Sequence, residues 1–206
     1  MANTSKINGF TPVKHLNGSP YNGQYNIYEI VAGDGTATMV GDLVKADTGT
    51  ATDVYPTCVR HGTTGEVTSG LALGVIVGFL PFNTLSVGNN PSLPTLDVPL
   101  YRAASTKRFA MVADSPDLIF EVQDGGTVPC TLILIGNNTG FMATAGSTTT
   151  GISGMSTGTT APTTTNTLPL KIMGIVNRPD NASAAASQKL LVMINQHYYM
   201  GGQTAT

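Results

Sequence analysis

Residues 108–123, RFAMVADSPDLIFEVQ, decide the fold. In the second half, Leu118, Phe120 and Val122 fall on one side of an extended chain while Ile119, Glu121 and Gln123 fall on the other, the period of a half-buried strand. In the first half, Phe109, Met111 and Ala113 alternate with Ala110 and Val112. Between them, Asp114-Ser115-Pro116-Asp117 has turn chemistry, because Asp and Ser bond their own backbone and Pro pre-sets φ. The spacing predicts two strands turned back on each other as a hairpin.

Further strands can be placed around this pair. Tyr25–Val31 is apolar on both faces and ends at Gly33-Asp34-Gly35, a hairpin turn lacking the residues of a phosphate or metal loop. Val40–Ala46 and Val54–Arg60 are shorter candidates. In Leu71–Phe79 the large residues Leu71, Leu73, Val75, Val77 and Phe79 form one face. Gly74 and Gly78 on the other face predict bending or close backbone approach. Pro81–Pro99 reads as loop with at most one edge strand. Cys130–Ile135 reads as a buried strand, and Leu168–Val176 and Lys189–Tyr199, the latter with Leu190, Val192 and Ile194 inward, complete the set. No amphipathic helix of three turns is present; 182–186 could form a single turn. The fold class expected is all-β, a jelly-roll or β-barrel/sandwich-like single domain. Residues 1–24, rich in Gly and Pro, read as an extended N-terminal arm, and residues 25–206 as the β domain.

Composition narrows the function classes. Charged residues are 11% of the 206, against ~25% in ordinary soluble domains, and none occurs from Gly125 through Leu170. Within that run, 144–166 is a long Thr/Gly-rich loop, expected to be flexible alone and to be held by neighbouring chains or to run as ordinary surface loop. The net charge of −2 and the absence of Trp argue against direct nucleic-acid binding. No apolar run reaches the ~18 residues of a membrane helix, and MANTSKINGF lacks the apolar core of a leader, so a soluble product made in the cytoplasm is expected. Cys58 and Cys130 are expected to be buried free thiols.

No catalytic, cofactor or metal constellation is legible. His15, His61 and His197 stand at no ligand spacing, and no G-x-S-x-G elbow occurs. Asp114 and Asp117 are accounted for as turn residues, and Arg102, Lys107 and Arg108 as a solvated lead-in to a strand. The protein is therefore expected not to be an enzyme. What a monomer has no evident way to bury is the arm, the uncharged run and the C-terminal Tyr198-Tyr199-Met200. Possible partner contacts are thus Phe10, Tyr21, Tyr25, Tyr198, Tyr199 and Met200.

The stretches KINGFTPVKHLNGSPYNGQYNIYEI, RFAMVADSPDLIFEVQ, LPLKIMGIVNRPDN and KLLVMINQHYY resemble small structural proteins of tailed bacteriophages, in particular capsid cement or decoration proteins. The resemblance implies a mainly β protein that oligomerises, as a dimer or trimer, on the capsid exterior of the virion. There it would bridge adjacent subunits of the major capsid protein, with the N-terminal arm adding a strand to a neighbour. A head-fibre or tail-associated carbohydrate-binding module is the alternative, with the Thr-rich loop and the terminal tyrosines as contacts.

Overall fold

The structure is a computed structural model that describes residues 3–48, 54–80, 100–126 and 129–200. The expected loop at 81–99 lies outside the described residues. The chain is all-β. Strands β2 (Asn26–Ile30), β3 (Leu43–Asp47), β4 (Thr57–Arg60), β6 (Gly74–Phe79) and β7 (Arg108–Ala113) close a barrel in the order β2-β4-β3-β6-β7. Strands β1 (Thr11–His15), β8 (Leu118–Gln123), β9 (Asn138–Thr139), β12 (Leu170–Ile175) and β13 (Lys189–Ile194) form an open sheet in the order β1-β8-β13-β12-β9. The short strands β5 (Glu66–Val67), β10 (Phe141–Met142) and β11 (Ser156–Thr157) make a third sheet. Of the architectures open to the sequence, the barrel with an attached sheet is the one adopted.

Two apolar cores follow from this arrangement. Tyr28, Ile30, Val44, Cys58, Leu73, Ile76, Ala110 and Val112 fill the barrel. A larger core brings together Leu118, Phe120 and Val122 of β8, Leu170 and Ile172 of β12, Leu190, Val192 and Ile194 of β13, and Leu43, Val75 and Phe141. The alternation of β8 and β13 therefore points as the sequence predicts. Along 73–79 it does not: Leu73, Ile76 and Phe79 pack with the barrel core while Val75 and Val77 pack with the larger core, and the register shifts between Ile76 and Gly78. A bulge of this kind re-aims the side chains that follow it.

The expected central hairpin is corrected. β7 pairs with β2 and β6 in the barrel, whereas β8 pairs with β1 and β13 in the open sheet. Asp114–Asp117 is a turn, with the Leu118 amide donating to the Ser115 carbonyl at 3.2 Å, but it is a corner between two sheets. Gly33-Asp34-Gly35 likewise turns the chain without making a hairpin, since β2 and β3 are not neighbours.

Within residues 3–24 the chain packs onto the rest of the fold. Phe10 is 1% exposed and meets Phe141 edge-on at 6.3 Å, and Thr11–His15 is an edge strand on β8. The outer side of β1 is partly taken by the returning chain, with His15 N donating to Ser19 O and Tyr21 N to Val13 O. That occupancy blunts the edge as a template for another chain.

Cys130–Ile135 is not a buried strand. Leu132–Leu134 is a 3₁₀ turn that leaves Leu132 70% and Ile133 86% exposed. Cys58 and Cys130 are free and buried, and burial pushes the Cys130 thiol up to about 11.

The Thr-rich segment is held by its own chain through polar anchors in place of apolar bulk. Ser153 donates to Asp42 Oδ1 (2.6 Å), Met155 enters the larger core, and β11 pairs with β10. Beyond it, Glu66 accepts from the Thr159 and Thr160 hydroxyls and the Thr160 amide. Of the basic residues expected to be solvated, Arg102 is internal. Arg102 is fully buried and donates to the carbonyls of Val31, Asp34, Thr36 and Thr106 and to the Asp34 carboxylate.

Gly74 is where β6 crosses the corner. A Cβ there would lie 2.4 Å from the Ala113 carbonyl oxygen and 2.8 Å from Asp114 Cα, so backbone would have to move. Gly74→Ala should cost about 1–3 kcal/mol in urea unfolding, whereas Gly35→Ala, with open space around it, should cost less than about 0.5.

Burial lowers His61, edge-on to Phe141 at 5.1 Å, to about 4. The unfolded chain, with an ordinary imidazole, binds a proton between about pH 6.5 and 4 that the folded chain refuses, so this contribution to stability is lost as pH falls through that window. Between pH 7 and 4.5 the stability of wild type relative to His61→Gln should fall by about 2 kcal/mol, read from paired denaturation curves.

Candidate functional site

The corner at Asp114 also builds the most organised polar and aromatic site. Strand β2 runs antiparallel to β7, with Asn26 opposite Val112 and Tyr28 opposite Ala110, which brings both side chains to the end of β7. Asp114 is nearly buried, and its carboxylate accepts from Asn26 Nδ2 at 3.0 Å on each oxygen and from the Tyr28 hydroxyl at 2.6 Å. Tyr28 has one hydroxyl hydrogen, and it goes to the carboxylate. The Tyr199 hydroxyl, 2.7 Å from that of Tyr28, therefore donates to it. Burial, then these hydrogen bonds, raise the Tyr28 hydroxyl far above its ordinary range.

The C-terminal residues reach this place through His197. Residues Ala72 and His197 form an isolated parallel bridge, the Tyr198 amide donates to Ala72 O, and the Tyr199 amide donates to His197 Nδ1 at 3.1 Å. An accepting Nδ1 fixes the neutral tautomer with its proton on Nε2, consistent with burial holding this imidazole below its usual range. Tyr198 packs edge-on against Tyr199 at 5.3 Å.

Two adjoining recesses result. One, of about 440 Å³, is lined by Tyr25, Asn26, Ile27, Tyr28, Tyr55, Pro56 and Tyr199. The other, of about 260 Å³, includes His15, Tyr21, Tyr25, Asn26 and Asp114. Six of the seven tyrosines of the chain thus gather here, all but Tyr101. No lysine or arginine lines either recess among the described residues.

Of the residues singled out from the sequence, Tyr21, Tyr25, Tyr198 and Tyr199 come together at this site. Met200 is about half exposed beside it in sequence and lines neither recess. Phe10 lies apart from this site as a core residue, 1% exposed. Sequence reasoning missed Tyr28, Tyr55 and Asn26, and took Asp114 for a turn residue only. The two aspartates part company, for Asp117 accepts from Ser115 Oγ and pairs with His15 Nδ1 at 3.1 Å. A chain with seven tyrosines and no Trp was the available signal, but nothing local ties Tyr55 to Tyr199.

The chain matches no protein-family model, no curated protein and no solved structure. What the site can do must be argued from its own atoms. A second polar recess holds Lys6, Arg178 and Lys189, but Arg178 is paired with Glu121 at 2.9 Å and Lys189 is bonded to Gln123 Oε1 at 2.9 Å. Its cations are largely spent.

Tyr28→Phe removes the link between Asp114 and Tyr199 and deprives a nearly buried carboxylate of a donor. It should cost about 1–3 kcal/mol in urea unfolding at pH 7. Tyr21→Phe, whose exposed hydroxyl donates only to Gln24 O, should cost less than about 1 by the same measurement.

Proposed function

We propose that this protein is a non-enzymatic virion structural protein that binds the outside of an assembled phage head and cements adjacent major capsid protein subunits. It is made in the host cytoplasm and acts on the capsid exterior as a homo-oligomer. The observation that carries the reading is the exposed apolar turn Leu132-Ile133, set in a run of chain from 125 to 170 without a single charge. Interface centres are depleted in charged residues, and exposed apolar side chains grouped on uncharged surface mark a place where another protein sits. A protein that binds only the assembled shell stabilises it by mass action, with no chemistry needed. The contact surface is assigned to loops of the folded body, since β1 belongs to its own sheet and is not free to be donated.

A second reading, a head-fibre or tail-associated carbohydrate-binding module, is favoured by the gathering of tyrosines around Asp114 and Asn26.

Quantitative mass spectrometry of purified particles tests the choice. A copy number comparable to that of the major capsid protein is expected; a few copies per particle would move the protein to a tail or fibre, and absence from particles would sink both. Ile133→Asp should keep the fold and weaken co-sedimentation with expanded heads about tenfold or more.

A further inference from the structure

We propose that the cleft between Tyr25, Tyr55 and Tyr199 binds a neutral oligosaccharide. The inference rests on the carbohydrate reading for its class of ligand and adds the site, the charge preference and the residues that hold it. It is compatible with a cementing role, since the apolar turn at Leu132-Ile133 is not among the cleft's lining residues.

Three features point to this ligand. Aromatic side chains with polar tips suit ligands that are apolar on one face and hydroxylated at the edge, and Tyr25 and Tyr199 are each about half exposed at the cleft while Tyr55 is braced edge-on by Phe109 at 5.7 Å. The volume of about 440 Å³ falls within the ~300–1,000 Å³ of small-molecule sites.

The polar wall is rich in acceptors. Tyr199 gives its hydrogen to Tyr28, and Tyr28 gives its own to Asp114. Asn26 directs Nδ2 to the same carboxylate. Among the described residues Asn26 Oδ1 takes no hydrogen bond and the Tyr199 oxygen keeps a lone pair, and both residues line the cleft, so its wall can accept from O–H donors. A sugar supplies several hydroxyl hydrogens, whereas an apolar side chain would bury those acceptors unpaired.

The ligand is neutral because the described lining offers no cation to balance an anion. No lysine or arginine lines the cleft among the described residues, and the Asp114 carboxylate stands behind it. The hydrogen-bond chain from Tyr199 to Asp114 holds the Tyr199 ring in place before any ligand arrives, which lowers the ordering cost of binding.

The test uses the full chain on an array of neutral, sialylated and sulfated oligosaccharides, followed by titration calorimetry on the best neutral binder. Tyr25→Ala and Tyr199→Ala should each weaken binding at least tenfold, and Thr149→Ala, on an exposed turn, should leave it unchanged. Tyr199→Phe, which keeps the ring and drops the hydroxyl, should weaken binding less than Tyr199→Ala and serves if the alanine variant does not fold. Binding of no glycan would overturn the inference together with the carbohydrate reading. Glycan binding that survives both alanine variants would overturn the site and leave that reading standing. A preference for sialylated or sulfated chains would overturn the charge argument, and so the inference. If the tyrosine variants lose binding to heads and no glycan binds, the cleft is a capsid contact and the inference fails.

Discussion

The corner at Asp114–Asp117 is the constraint on which the rest depends. One run of chain leaves the barrel as β7 and enters the open sheet as β8 within four residues, so the barrel and the sheet are tied at this point and share the larger core. The geometry leaves β6 no room for a side chain at Gly74. It also withdraws Asp114 from water, and a buried carboxylate needs donors. Asn26 and Tyr28 provide them, and in doing so fix where the hydroxyl of Tyr199 must go. The need to satisfy one carboxylate thus organises the aromatic cleft.

A chain with few charges places several of them inside. Arg60 joins Asp42 at 3.0 Å and donates to the carbonyls of Gly62, Thr63 and Thr144. Arg102 does the same for the loop after β2, and Lys107 pairs with the fully buried side chain of Glu29 at 3.1 Å. Such pairs are weak evidence of net stabilisation, because desolvation offsets the attraction, but breaking one leaves a charge stranded at a cost of about 3–5 kcal/mol. Their value here is to satisfy carbonyls of loops that have little apolar bulk.

The same logic orders the Thr-rich segment. Composition predicts too little apolar surface for a fold of its own, and Met155 is its chief apolar anchor in the larger core. It is fastened instead by discrete polar contacts from elsewhere in the chain, at Asp42, Glu66 and Asn138. Asp42 and Glu66 are far from it in sequence, and Asn138 reaches across 27 positions to Thr165, so no local pattern could announce these contacts.

The sequence by itself determined the all-β class, the positions of most strands, and the inward faces of β8 and β13, because side-chain alternation is a local property of extended chain. It also marked Gly74 as a point of close approach and the terminal tyrosines as a surface of interest. Only the tertiary structure decided that β7 and β8 belong to different sheets, that residues 11–15 are a sheet edge and not an arm, and that Leu132 and Ile133 face outward. It alone brought Tyr55 and Tyr28 to Tyr199. The physical reason is the same throughout: alternation specifies a face but not a partner, and partners are chosen by backbone hydrogen bonds and buried polar groups that meet only when distant segments fold together.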